Sequence, residues 1–140
     1  MTEKSSLIDS NLLVYAYELD DVRSKTAREL IRGLAFQNQS VLSVQNLAEF
    51  GNVVIGKKRR TVSPADAQIA LDFFAENFRV VAYGPQTVTK AIGLVQTRQA
   101  PFYDALLAAT MLENGVDTIY TENAEDFAKI PGIRAINPFE

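Results

Sequence analysis

Four acidic stretches carry the polar chemistry open to this chain. They are Asp9 in "LIDSNLLVYA", Glu49 in "QNLAEFGNVV", Asp104 in "FYDALLAAT", and the segment "YTENAEDF" over residues 120–127. The chain contains neither histidine nor cysteine. That excludes a serine–histidine–aspartate triad, a cysteine–histidine pair, an imidazole general base and any histidine- or thiolate-held metal. Carboxylates, hydroxyls, amides and cations remain. Gathered carboxylates repel and raise one another's pKa, a penalty that a divalent cation removes. An all-oxygen donor set points to Mg2+ or Mn2+ rather than zinc, and ions held in that way suit phosphoryl chemistry.

Each acid also has a plain structural reading. Asp9 interrupts an apolar run, with Leu7 and Ile8 before it and Leu12, Leu13, Val14 and Ala16 after it. An unpaired carboxylate is costly in such a run, but an aspartate there can cap the helix that follows. Asp104 falls in the first turn of a helix opened by Pro101, where it opposes the macrodipole; Ala105 to Ala109 follow it with no polar face at all. Glu49 shares a helical face with Gln45 and Asn52, which a solvated surface also explains. Asn123 can cap a short helix with Glu125 and Asp126 in its first turn. Coincidence favours chemistry: Asp9, Asp104 and residues 121–126 all follow or face predicted strand ends on one rim.

The elements that must position these groups alternate in type. Short apolar or β-branched runs at 6–8, 40–43, 79–83, 118–121 and 133–137 read as strands. Helical spacing appears from Ser10 to Tyr17, with Ser10 or Asn11 as cap, from Asp21 to Gln37, and over 44–56 with Gly56 as the stop. In that last helix Val44, Leu47, Gly51, Val54 and Ile55 form the expected apolar stripe. Ser63, Pro64 and Asp66 mark a helix start near a capping box. Pro85 and Pro101 open two more helices, the second closed by Gly115. Such alternation predicts an α/β fold with a central, mostly parallel sheet covered by helices on both faces. In that architecture ligands collect beyond the carboxyl ends of the strands.

A length of 140 residues suits one domain, and neither repeats nor a linker divide it. No signal peptide or spanning helix is readable, leaving the cytoplasm as the default. The net charge of −3 argues against bulk attraction to nucleic acid. The run Lys57, Lys58, Arg59, Arg60 offers a phosphate-contacting arm to which Arg79 and Arg98 could add, although charge runs are usually solvated loops. No interleaved aromatics mark a base-stacking platform.

The ordered set "LIDSNLLVYA", "LAEF", "FYDALLAAT" and "TENAEDF" followed by "INP" resembles PIN-domain ribonucleases, most closely the VapC-like toxins of type II toxin–antitoxin modules. The resemblance covers nearly the whole chain. It implies a Mg2+- or Mn2+-dependent endoribonuclease, a small antitoxin that buries the site, and a homodimer. By position Asp9, Glu49 and Asp104 match the family's catalytic acids, with Asp9 and Asp104 as metal ligands and Glu49, Glu122, Asn123 or Asp126 as further candidate ligands. Ser10 and Asn11 fall where the family often has Thr or Ser and then Asn, and Thr121 matches its late hydroxyl. Where many relatives carry Asp two residues after that threonine, this chain has Asn123; Glu122 and Asp126 are the possible substitutes. Three other readings stand beside this one. They are an inactive PIN-like scaffold or RNA-binding module, a phosphoacceptor receiver domain (which would need a lysine just after a late strand), and a protein whose acids are all caps.

Overall fold

The computed structural model describes residues 5–18, 22–37, 39–56 and 62–140. The basic run Lys57 to Arg60 lies outside the described residues.

Five short strands form one sheet: β1 (Ser5–Ile8), β2 (Ser40–Ser43), β3 (Arg79–Val81), β4 (Val116–Tyr120) and β5 (Arg134–Ile136). Their order is β3-β2-β1-β4-β5, and every pairing is parallel. The intervening helices are α1 (Ser10–Ala16), α2 (Val22–Ala35), α3 (Val44–Val54), α4 (Pro64–Asn77), α5 (Pro85–Arg98), α6 (Phe102–Glu113) and α7 (Ala124–Ala128). All five expected strands and the helices between them are present, with ends shifted by a residue or two.

Strand alternation builds the two cores. Leu7 and Ile8 are both fully buried but point to opposite faces, as do Val41 and Leu42. Leu7 and Val41 join a cluster with Ala105, Leu106, Met111, Ile119 and Phe127. Ile8 and Leu42 join Leu12, Leu13, Phe50, Val54 and Phe74 on the other face. There Phe50 and Phe74 meet edge-to-face at 5.3 Å. A sheet covered on both faces explains why neighbouring residues of the inner strands, Leu7-Ile8 and Val41-Leu42, are apolar on both sides.

Helix α6 matches its sequence: Ala105 to Met111 are all buried. Helix α3 matches its predicted stripe in part: Val54 is buried and Leu47 packs on the core, but its two ends turn outward. Val44 and Ile55 are 48% and 38% exposed, while Gln45, Asn46, Phe50 and Val54 are buried. Ser43 fixes this phase by capping Asn46 N–H while the Asn46 side chain accepts from the Ser43 N–H. The reciprocal box turns an amide inward, so the buried face is one of mixed polarity that apolar spacing does not reveal.

The site is placed by the central strand. The chain leaves β1 toward β2 and β3 on one side, then returns to β4 and β5 on the other. The carboxyl ends of β1 and β4 therefore flank a topological switch point, where the diverging connections open a crevice.

Candidate active site

Asp9 stands at the end of β1 and is 6% exposed. Its backbone N–H donates to Tyr120 O on β4 at 3.0 Å, which pins it beside the next strand. One carboxylate oxygen accepts from Ser10 N–H at 2.8 Å and from Asn46 Nδ2 at 3.3 Å; the other accepts from Thr121 Oγ1 at 2.8 Å. The cap reading is thus correct as far as it goes, with Asp9 itself, rather than Ser10 or Asn11, as the N-cap of α1. Yet a cap needs one backbone donor. This carboxylate also draws side chains from α3 and from the end of β4, and all three elements meet on it.

Asp9, Glu49, Asp104 and Glu122 line one open cleft of about 300 Å³, with Ser10, Asn11 and Asn123 between them. Burial pushes the Asp9 carboxyl above its ordinary value, against the hydrogen bonds from Thr121 and Ser10 that favour its charged form. Glu49 is raised by burial and then by the Asp9 charge. Asp104 is pushed from 3.8 up to about 6 by burial, then by the charges of Asp9, Asp126 and Glu49. Three acids from three elements, far apart in sequence, feel one another.

The fourth acidic position resolves differently from expectation. The Glu122 carboxylate accepts from Tyr15 Oη at 3.0 and 3.1 Å and lies 3.6 Å from an Arg23 guanidinium nitrogen. Arg23 also donates to Tyr15 Oη at 3.0 Å and sits over the Tyr15 ring. Glu122 faces the cleft with its oxygens already engaged. Asp126 does not line that cleft and pairs with Lys129 at 3.2 Å, although its charge reaches Asp104. Asn123 lines the cleft at the N-terminus of α7 but makes no side-chain cap; its N–H donates to Thr121 Oγ1 at 3.0 Å. Asn11 accepts from Glu122 N–H at 3.5 Å.

Gln45 and Asn52 do not share the surface face expected of them. Gln45 is buried and donates to Tyr103 O at 3.1 Å, while Asn52 is exposed. Sequence reasoning missed Asn46, Tyr15 and Arg23. Only the Ser43–Asn46 spacing, a capping-box pattern with Asn in the last place, offered a signal for Asn46.

Among the described residues, no three acids form a ready-made metal cluster. The donor set nevertheless fits a hydrated hard cation. It is all oxygen, it includes acids whose mutual repulsion a cation would relieve, and the cleft is open. Mg2+ in particular keeps several waters and takes one or two carboxylates rather than a closed protein cage.

A doubly wound parallel sheet with an acidic, all-oxygen cleft at its switch point defines the class. The PIN domain family matches residues 6–133, and the chain belongs to that family. No curated protein sequence matches it. Three solved structures are similar in fold. A chain of a toxin–antitoxin complex from Klebsiella pneumoniae is 24% identical with a TM-score of 0.70, covering 97% of this chain and 99% of that one. Mycobacterium tuberculosis VapC20, described as a Sarcin-Ricin loop cleaving toxin, is 19% identical with a TM-score of 0.71, covering 89% and 94%. VapBC2 from Rickettsia felis, bound to a promoter DNA fragment, contributes a chain 21% identical with a TM-score of 0.68, covering 94% and 97%. No helix among the described residues is long and apolar enough to cross a membrane.

Proposed function

We propose that this chain is a Mg2+- or Mn2+-dependent endoribonuclease, the toxin of a type II toxin–antitoxin module acting in the cytoplasm. One observation carries the reading: Asp9, Glu49 and Asp104, from β1, α3 and α6, converge on one cleft at the switch point. Asp9 and Asp104 would hold the ion, with Glu49 beside them. The bound ion would neutralise phosphate charge and lower the pKa of a water at the scissile bond.

The chain's own groups account for the rest. Thr121, Ser10 and Asn46 hold the Asp9 carboxylate in one orientation and favour its charged form. Glu49, raised by burial and by the Asp9 charge, is a stronger base than an exposed glutamate and is placed to accept a proton from water. A small antitoxin and a second copy of the chain are the expected partners. The similar chain from a Klebsiella pneumoniae toxin–antitoxin complex and the VapC20 chain described as a toxin support that module.

A catalytically silent, RNA-binding form of the same scaffold is the second reading. It is favoured by the engagement of Glu122 with Tyr15 and Arg23, beside an amide at Asn123. Cleavage of labelled RNA by the antitoxin-free protein, with Mn2+ or Mg2+ and with EDTA, separates the two. Metal-dependent cleavage that vanishes in Asp9→Ala supports the nuclease. A folded protein that binds RNA but cleaves none under either metal supports the silent form.

A further inference from the structure

Helices α3 and α6 carry Glu49 and Asp104, yet they pack on opposite faces of the sheet. Phe50 and Val54 of α3 belong to one core, and Ala105, Leu106 and Met111 of α6 to the other. Packing within one layer therefore does not set the spacing of the two carboxylates. Gln45 crosses between the layers at the sheet's rim. From the second position of α3 its Nε2 donates to Tyr103 O, in the first turn of α6, at 3.1 Å. The same side chain hydrogen-bonds Glu49, one turn further along α3, and favours its charged form.

That bond falls where the site is otherwise least held. The Asp9 carboxylate accepts from Ser10, Asn46 and Thr121, whereas Asp104 accepts no hydrogen bond among the described residues. The backbone of its own turn thus sets where the Asp104 carboxylate lies, and no side chain caps that turn. The tie has a cost. Gln45 is buried, and its Oε1 has no partner among the described residues. A buried, unpaired carbonyl works against folding, and an apolar side chain of the same length would avoid it. Turning the amide over would not help, because Tyr103 O and the Glu49 carboxylate both accept. Stability alone gives no reason for a glutamine here.

We propose that Gln45 is a positioning residue for the metal site: by bridging the two helical layers it holds the turn that carries Asp104 in register with Glu49, so that both face one hydrated divalent cation. The proposal rests on the nuclease reading and adds to it a residue that lines no part of the cleft. Groups of this kind act through the ligands that they orient, and their loss lowers metal affinity about 10- to 100-fold.

Mn2+ affinity, read from the free-ion signal in electron paramagnetic resonance, tests the tie without any turnover. The titration is run well below the unfolding transition, so that a change in stability does not enter it. Gln45→Met keeps length and bulk, drops both donors and removes the unpaired oxygen. It should bind Mn2+ about 10- to 100-fold more weakly than wild type, while its melting temperature in EDTA stays level or rises. A residue that serves packing alone would leave the affinity unchanged. Gln45→Leu takes over should Gln45→Met not fold, which circular dichroism checks. Failure of both to fold makes Gln45 a folding residue and overturns the proposal. Wild-type Mn2+ affinity in a folded variant also overturns it, whichever way the melting temperature moves, and leaves the metal-dependent nuclease standing. Wild type that binds no Mn2+ removes the proposal and the nuclease reading together.

Discussion

Thr121 donates its hydroxyl to the Asp9 carboxylate at 2.8 Å across 112 residues of chain. Both residues are buried at adjacent strand ends. A hydrogen bond to a charged group is worth about 1.5–3 kcal/mol, and its loss leaves a buried acceptor short of a donor. Thr121→Val should therefore lower the chemical-denaturation midpoint at pH 8 and weaken metal-induced thermal stabilisation, whereas Thr121→Ser should retain most of both. A Val variant that binds metal as wild type does would remove Thr121 from the site.

Asp104 sets a pH dependence whose sign is fixed. Its folded-state pKa lies near 6, above its ordinary 3.8, so between those values the folded protein binds more protons than the unfolded one. In EDTA this contribution to stability is fully present below the ordinary value and is lost as pH rises through about 6. Urea midpoints should fall across that window, and Asp104→Asn should flatten the curve. The same substitution should raise metal-free stability at pH 7.5, because it removes a repelling charge, while abolishing cleavage. A midpoint that rises from pH 5 to 7 through this residue would contradict the assignment.

Asn46 serves two masters, Ser43 at the head of α3 and Asp9 in the cleft. Asn46→Ala should destabilise the fold by about 1–3 kcal/mol, the combined effect of a lost cap and an unpaired buried group. Asn46→Asp keeps an acceptor for Ser43 but sets a second carboxylate beside Asp9. It should lose more stability in EDTA than in Mg2+, read as the difference in melting temperature between the two conditions.

Tyr15 and Glu122 form one unit with Arg23. If Glu122 serves that unit rather than the metal, Tyr15→Phe and Glu122→Gln should have non-additive effects on stability. Both should also preserve metal-dependent cleavage that Asp104→Ala abolishes. A double-mutant cycle gives the coupling. Cleavage lost in Glu122→Gln but kept in Tyr15→Phe would return Glu122 to the set of metal ligands.

The sequence by itself determined the alternation of elements, the placing of Asp9 and Thr121 at strand ends, and that of Asp104 at a helix start. Those features are local: strand runs, proline starts and apolar spacing are all set within a few residues. The absence of histidine and cysteine likewise confined the chemistry to oxygen ligands before any fold was known. Only the tertiary structure decided which polar groups share a space. It turned Asn46 inward where spacing suggested a stripe through Val44 and Ile55, and it occupied Glu122 with Tyr15 and Arg23. It also separated Asp126 from the cleft and left Phe102 and Tyr103 in solvent before Asp104. The gathering of Asn46 and Thr121 on Asp9 depends on contacts between residues 37 and 112 positions apart. A parallel sheet makes those contacts only after its crossovers have closed, so no short window of sequence can contain them.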